Sequence, residues 1–186
     1  MFFNYEGQRV PQVTLGVFTK QGWHALTTTH LFARKTVVMF AVPGAFTSPH
    51  SSTHLSGYNV HAEDFRAYGV DEIICISVND SFSLAAWARK EKADRVRFVP
   101  DVNGEFTKEL GMMVNLSDRG MGQRSWRYSM LIRDQVIEKM FVEPDGFETP
   151  PVVSDAETML NYLRSETKKP EQTAVLMHMW RTILSA

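Results

Sequence analysis

Residues 36–55 of this chain read TVVMFAVPGAFTSPHSSTHL, and this stretch decides the fold. Its first seven residues form an unbroken apolar run of strand length, which is typical of a strand buried on both faces of a sheet. The run ends at Pro43 and Gly44, where a turn is expected. The residues from 51 to 68 then place large apolar side chains three or four positions apart over much of the segment, which is helical periodicity. The stretch therefore predicts a buried strand followed by a turn and a helix.

Regular elements are predicted on both sides of this stretch. They are a β-hairpin over 13–26, a short helical turn at 29–34, a buried strand over 71–78, a helix capped by Ser81 or Ser83, a short strand over 96–99, a short helix over 106–110, two strands at 129–133 and 136–142 joined by a two-residue hairpin, and a helix over 157–163 opened by a capping box at Ser154. This order predicts an α/β domain, a three-layer sandwich around a central mixed β-sheet. We expect the domain to cover residues 1–164, and residues 165–186 to form a C-terminal linker and a possible helix.

Composition narrows the class of protein. The 186 residues are 44% hydrophobic and 22% charged, with a formal net charge of −1, which is ordinary globular usage and argues against disorder. Basic residues are scattered, so the sequence predicts no nucleic-acid partner. No segment approaches the roughly 18 consecutive apolar residues of a membrane span, and the first residues lack the basic and apolar regions of a secretory signal. The expectation is a cytoplasmic protein with no membrane partner.

Cysteine usage restricts the chemistry further. The chain has one cysteine, Cys75, so the sequence predicts no intrachain disulfide and no multi-thiolate metal site. Cys75 lies within the apolar segment 71–78, and a free cysteine on a buried strand usually behaves as a small apolar side chain. Burial there would raise the pKa of its thiol, which is the opposite of activation. We therefore expect Cys75 to be structural.

The segment from 43 to 55, PGAFTSPHSSTHL, resembles the active-site loop of type-five peroxiredoxins, which reads PGAFTPTCSxxHLP. Further segments match that family in order along the chain, namely SVNDSF at 77–82, Trp87, PDVNGEFTKELG at 100–111, RYSML at 127–131 and VEPDG at 142–146. The resemblance covers residues 3–164. It is especially close to the peroxiredoxin halves of bacterial peroxiredoxin–glutaredoxin hybrids, although this chain carries no Cys-x-x-Cys of a glutaredoxin half.

The resemblance implies a thioredoxin-like α/β fold, no cofactor, and the thiol-dependent reduction of hydrogen peroxide and alkyl hydroperoxides with electrons from glutaredoxin, glutathione or thioredoxin. Carried over by position, Pro43 shields the pocket from water. Thr47 and Arg127 bind the peroxide oxygens and stabilise the charge that develops as the O–O bond breaks. The peroxide-attacking cysteine of the family falls on His50. Type-five members commonly form homodimers through the loops around the active site, so a homodimer is expected here.

His50 changes the expected chemistry. A neutral imidazole forms no recyclable S–OH species, so we expect the family reaction by the family mechanism to be absent. Two hypotheses stay open. The first is residual or altered peroxide chemistry at His50, Thr47 and Arg127. The second is a non-catalytic, homodimeric binding or interaction protein whose pocket at Thr47 and Arg127 holds a peroxide-sized or small anionic ligand.

A metal could assist the first of these hypotheses. His50 and His54 stand four residues apart on one predicted helix, which is a metal-ligand spacing. Two histidines with no adjacent carboxylate nevertheless make a thin metal site. The expectation is therefore that both make ordinary hydrogen bonds and that the site holds no metal.

Overall fold

A five-stranded mixed sheet forms the centre of the structure, a computed structural model that describes residues 3–145 and 149–167. In spatial order its strands are β5 (Arg97–Pro100), β4 (Glu72–Ser77), β3 (Thr36–Ala41), β8 (Tyr128–Arg133) and β9 (Val136–Val142). The strands β3, β4 and β5 pair in parallel, whereas β8 pairs antiparallel with both β3 and β9. The predicted central mixed sheet is therefore confirmed.

Helices and two small hairpins surround this sheet. The hairpins are β1 (Thr14–Thr19) with β2 (Gly22–Thr27), and β6 (Met113–Asn115) with β7 (Gln123–Ser125). The helices are α1 (Thr28–Phe32), α2 (Pro49–Val60), α3 (Ala62–Ala67), α4 (Ser81–Glu91), α5 (Glu105–Glu109) and α6, which covers residues 156–167. Within the described ranges, no helix is both long enough and apolar enough to cross a membrane.

Two apolar cores, one on each face of the sheet, make the molecule a three-layer sandwich. Along β3, Val38 and Phe40 contribute to the core that α2, α3, α4 and α6 cover, while Val37 and Met39 contribute to the core beneath α1 and α5. All four side chains are fully buried. A strand with two buried faces needs an unbroken apolar run, which is why the sequence shows one here. The thioredoxin-like α/β sandwich expected from the sequence is confirmed.

The helix expected over 51–68 is interrupted. The helix α2 begins earlier, at Pro49, and ends at Val60, and α3 begins at Ala62 after a break at His61, whose φ and ψ are −86° and 13°. The residues before the break include a glycine, an asparagine and a β-branched valine, all weak helix formers. Apolar periodicity continues across the break, which is why the pattern alone indicated one helix.

Two helix caps also differ from the expectation. The α4 helix is capped by Asp80, whose carboxylate accepts hydrogen bonds from the backbone N–H groups of Phe82 and Ser83 at 2.8 Å, and not by Ser81 or Ser83. Asp155 Oδ1 accepts from the backbone N–H of Thr158 at the start of α6, so the expected capping box at Ser154 is wrong. A carboxylate accepts a stronger hydrogen bond than a hydroxyl does. Where both are available at a helix N-terminus, the carboxylate is therefore the group that caps it.

The short β6–β7 hairpin has no counterpart in the sequence prediction, because its strands are three residues long and carry no apolar alternation. The division of the chain at residue 164 stays a prediction. Residues 165–167 continue α6, and the rest of the expected C-terminal linker and possible helix, residues 168–186, lies outside the described residues.

Candidate functional site

The loop from residue 43 to 48 joins the carboxyl end of β3 to α2. One hydrogen bond within the loop and one to a residue just beyond β4 hold its conformation. Thr47 Oγ1 donates a 2.7 Å hydrogen bond to the carbonyl oxygen of Gly44. Asn79 Oδ1, just beyond β4, accepts from the backbone N–H of Ala45 at 2.9 Å. A Cβ on Gly44 would lie 2.5 Å from Thr47 Cγ2, closer than van der Waals contact allows. Glycine at this position is therefore what permits Thr47 to fold back onto the loop.

The start of α2 places His50 in the first turn of the helix. Ser48 is the N-cap, with its Oγ accepting from the backbone N–H of Ser51 at 3.3 Å, and Pro49 occupies the first helical position. Serine at the N-cap and proline at the next position are both favourable helix starters. The two residues that depart from the type-five pattern beside His50 thus form a sound helix start. His50 is half-buried, and its side chain makes no hydrogen bond, ion pair or ring contact within the described ranges.

Arg127 directly precedes β8, the neighbour of β3 on the side away from β4. It precedes Tyr128, which pairs with Ala41 at the end of β3, so its backbone lies beside the point where the loop leaves the sheet. The side chain is fully buried, and Nη1 donates a 2.8 Å hydrogen bond to the carbonyl oxygen of Thr149. Its Nε and Nη2 have no acceptor among the described residues. Burial lowers the pKa of the guanidinium and the charge of Glu143 raises it, but arginine starts so high that the group stays charged.

His54, one helical turn after His50, is a core residue. Its ring centroid lies 5.0 Å from that of Phe40 and 5.5 Å from that of Tyr58. Nε2 lies 2.8 Å from the carbonyl oxygen of Ser154, so we assign the proton to Nε2, because a carbonyl can only accept. Burial, reinforced by the charge of Arg127, lowers the pKa of His54 to about 4. The imidazole is therefore neutral at pH 7.

The structure gives little support to a metal site formed by His50 and His54 on this helix. The Nε2 atom of His54 is already used by a backbone carbonyl, and its Nδ1 is buried. No group of three or more histidine, cysteine, aspartate or glutamate side chains within the described part of the chain is arranged to hold a metal ion.

Glu143, which the sequence reasoning did not select, organises the back of the site. Its Oε1 accepts from the backbone N–H groups of Val152, Val153 and Ser154 at 2.9, 3.0 and 2.7 Å, and from Ser154 Oγ at 2.7 Å. The carbonyl oxygen of Ser154 in turn accepts from His54 and, at 2.7 Å, from the hydroxyl of Tyr58. The signals in the sequence were a carboxylate directly after β9 and its place in the VEPDG segment, which matches the type-five pattern.

The segment 149–154, named here the strap, therefore connects three parts of the site. Its backbone N–H at Ser154 donates to the carboxylate of Glu143. The carbonyl oxygen of Thr149 accepts a hydrogen bond from the buried guanidinium of Arg127. The carbonyl oxygen of Ser154 accepts hydrogen bonds from the buried side chains of His54 and Tyr58 on α2. The strap brings Arg127 and the helix that carries His50 into one packed unit.

Cys75 lies within the central sheet, on β4. In the strand register it pairs with Phe40 of β3 and Phe98 of β5, and it is fully buried. Burial raises the pKa of its thiol far above the ordinary value. The expected burial of Cys75 on a strand is confirmed, and its structural role stays a prediction.

Comparison with known proteins agrees with this fold. The family described as Redoxin matches residues 5–160. The chain is 50% identical to the hybrid peroxiredoxin hyPrx5 of Haemophilus influenzae over 172 residues, which cover 91% of this chain and 70% of that protein. It is 51% identical to a peroxiredoxin of Synechocystis over 146 residues, covering 76% of this chain and 77% of the relative.

Solved structures give the same result. Reduced Prx3 from Vibrio vulnificus in complex with hydrogen peroxide superposes with a TM-score of 0.79 at 42% identity, covering 87% of this chain and 99% of that one. Peroxiredoxin 5 from Alvinella pompejana superposes with a TM-score of 0.76 at 29% identity, covering 88% and 99% of the two chains. The chain belongs to the redoxin family. Within that family it is a peroxiredoxin of the type-five subfamily.

Proposed function

We propose that this peroxiredoxin does not reduce peroxides by the thiol route of its family and acts as a non-catalytic binding protein on the same scaffold. The observation that carries the proposal is the environment of Cys75. The thiol route needs an accessible thiolate that attacks one peroxide oxygen, releases water or an alcohol, and keeps the other oxygen as S–OH. The only sulfhydryl of the chain is fully buried in the central sheet, and burial raises its pKa.

His50 occupies the position at which the family carries its nucleophile. An imidazole there has no thiolate to offer and no S–OH intermediate to return to a reductant. The supply of electrons from glutaredoxin, glutathione or thioredoxin, which peroxiredoxins use, would then have no acceptor in this chain.

The ligand of the binding protein would be a peroxide-sized molecule or a small anion at Thr47 and Arg127. In support of this, the guanidinium has two N–H-bearing nitrogens without an acceptor among the described residues. Such buried donors favour an oxygen-rich ligand. Pro43 is buried at the start of the loop, which agrees with a role in keeping water out.

The deciding experiment compares peroxide consumption by the parent chain and a His50→Cys variant, each with excess dithiothreitol. We expect no consumption above the reductant blank for the parent and turnover for His50→Cys, because the loop and Arg127 are otherwise in place. A Cys75→Ser variant is the matched control and should behave as the parent does. Turnover by the parent would overturn the proposal, and its loss in Cys75→Ser would assign the activity to that thiol.

A second candidate function, assembly into a homodimer through the loops around the site, has an observation of its own. Phe46 lies in the 43–48 loop with 54% of its surface exposed and a φ of +61°, which is rare for an aromatic residue. Phe82, at the start of α4, is 57% exposed. Exposed aromatic residues on ordered loops are typical of protein interfaces.

Light scattering after size exclusion tests the homodimer. Asparagine tolerates a positive φ, so Phe46→Asn removes the ring without straining the loop. We expect a dimeric parent and a monomeric Phe46→Asn variant, while Val60→Asn, which changes an exposed residue of α2, stays dimeric. A monomeric parent at every concentration would refute this candidate.

A further inference from the structure

The β6–β7 hairpin, which the sequence did not predict, carries a guanidinium that reaches the end of a central strand. Arg124 lies on β7, and its side chain is half-buried. Its Nε donates a 2.7 Å hydrogen bond to the carbonyl oxygen of Met121, in the connection between the two hairpin strands. Its Nη1 donates a 2.9 Å hydrogen bond to the carbonyl oxygen of Val78, just beyond the carboxyl end of β4. One side chain therefore ties the hairpin to the end of β4.

This contact lies directly beside the loop that precedes α2. A Cβ on Gly44 would lie 3.3 Å from Arg124 Nη1 and 3.4 Å from Asn79 Oδ1, so both groups pack against the backbone of that loop. The same Oδ1 of Asn79 accepts a 2.9 Å hydrogen bond from the backbone N–H of Ala45. The carbonyl that Arg124 binds belongs to the peptide group that joins Val78 to Asn79. Arg124 therefore holds the peptide group from which the side chain of Asn79 extends.

The chemistry of arginine suits this place. The β6–β7 hairpin forms a separate two-stranded sheet, so pairing with the central sheet does not set its position. Arginine presents its donors in a rigid planar fork, and two carbonyl oxygens that bind the fork are fixed relative to each other. A lysine ammonium would keep the charge but not this geometry. The fork therefore fixes the hairpin against the end of β4.

We propose that Arg124 is a positioning residue of the candidate site and acts through Asn79 on the loop that precedes α2. The amide oxygen of Asn79 holds the backbone of Ala45, two residues before Thr47. Thr47 is one of the two side chains proposed to contact a ligand, so the position of this backbone sets the position of the ligand's partner. The role of Arg124 is geometric and does not depend on whether the chain reduces peroxides.

Hydrogen exchange of the backbone amides, followed by NMR, tests the proposal. Arg124→Met keeps the apolar stem and removes every donor, so we expect the Ala45 amide to exchange about tenfold faster. The Met39 amide, in the middle of β3, exchanges through global unfolding and should change less than about threefold. An unchanged Ala45 amide, or equal acceleration of both amides, would overturn the proposal, because the second result means general destabilisation.

Two further variants separate geometry from charge and from the loss of any surface arginine. Arg124→Lys keeps the charge without the fork, so the Ala45 amide should still exchange at least about fivefold faster than in the parent. A return to the parent rate would mean that the charge alone is sufficient and would overturn the positioning role. Arg89→Met, on the exposed face of α4, is the matched control and should leave the exchange of both amides unchanged.

A functional readout is available where the site is given a nucleophile. In the His50→Cys background, Arg124→Met should lower kcat/KM for hydrogen peroxide about tenfold, while Arg89→Met should leave it unchanged. An unchanged kcat/KM for Arg124→Met in an active His50→Cys chain would overturn the positioning role. A His50→Cys chain without turnover would count against the proposed function instead, and the exchange of the Ala45 amide would still decide the role of Arg124. The two failures are therefore distinguishable.

Discussion

Acidification should destabilise this protein through His54, and the size of the effect follows from its surroundings. The buried imidazole has a pKa of about 4 in the folded chain against an ordinary value of 6.5 once the chain unfolds. Between these two values the unfolded chain binds a proton that the folded chain does not, so stability falls as the pH falls. At about 1.4 kcal/mol per pH unit, the full loss is about 3 kcal/mol, of which about 2 kcal/mol appears between pH 7 and pH 5.

The charges around His54 do not change this sign. Arg127 opposes protonation, whereas Glu143 and Asp155 favour it, and desolvation outweighs them all. The carboxylates with lowered pKa values, Glu6 and Asp80, lose their contribution only below their ordinary values of 4.5 and 3.8, which is outside the window from pH 7 to pH 5.

Urea unfolding at pH 7, 6 and 5 measures the effect. His54→Gln keeps an N–H donor for the carbonyl of Ser154 but does not titrate, so it should lose about 2 kcal/mol less stability than the parent between pH 7 and pH 5. The matched control is His50→Gln, on the same helix, which should lose about as much as the parent. The reasoning is refuted if His54→Gln loses as much stability as the parent between pH 7 and pH 5.

Three further predictions follow from other parts of the structure. Cys75 should not react with a chromogenic thiol reagent in the folded chain and should react fully in urea; rapid reaction without denaturant would contradict its burial. Gly44→Ala should destabilise the chain by about 1–3 kcal/mol in urea unfolding, because the new methyl group collides with the folded-back threonine, while Gly16→Ala, which meets nothing within 4 Å, should cost less than about 1 kcal/mol. Glu143→Gln should cost about 2–3 kcal/mol by the same assay because a buried charge beside Arg127 is lost, against a negligible change for the exposed Glu109→Gln; equal values would mean that Glu143 does not organise the strap.

The sheet could be predicted because each central strand is buried on both faces. The apolar runs at 36–42 and 71–78 leave little choice of structure, and β3 and β4 lie within them. The β8–β9 hairpin was predictable from its two-residue connection, Asp134 and Gln135, which both adopt a positive φ as a tight hairpin requires. In both cases a local pattern and the tertiary burial indicate the same element.

The site could be predicted only in part. Thr47, Arg127 and the position of His50 came from the resemblance, but the role of Glu143 did not, because its partners lie nine to eleven residues along the chain in a segment without regular structure. The N-caps of α4 and α6 were predicted wrongly for a similar reason. Several adjacent side chains, such as Asp80 and Ser81, can each cap a helix, and the final backbone path decides between them.

The strap has a consequence for the order in which the protein is built. The carbonyl oxygen of Ser154 accepts hydrogen bonds from His54 and Tyr58, which lie 100 and 96 positions earlier in the chain. During synthesis these two side chains therefore lack this acceptor until almost the whole domain has left the ribosome. Contacts of such long sequence separation form late because the intervening loop must first be closed. The helix α2, which carries His50, is synthesised early. Its packing is completed only after the strap has been synthesised and has formed these hydrogen bonds.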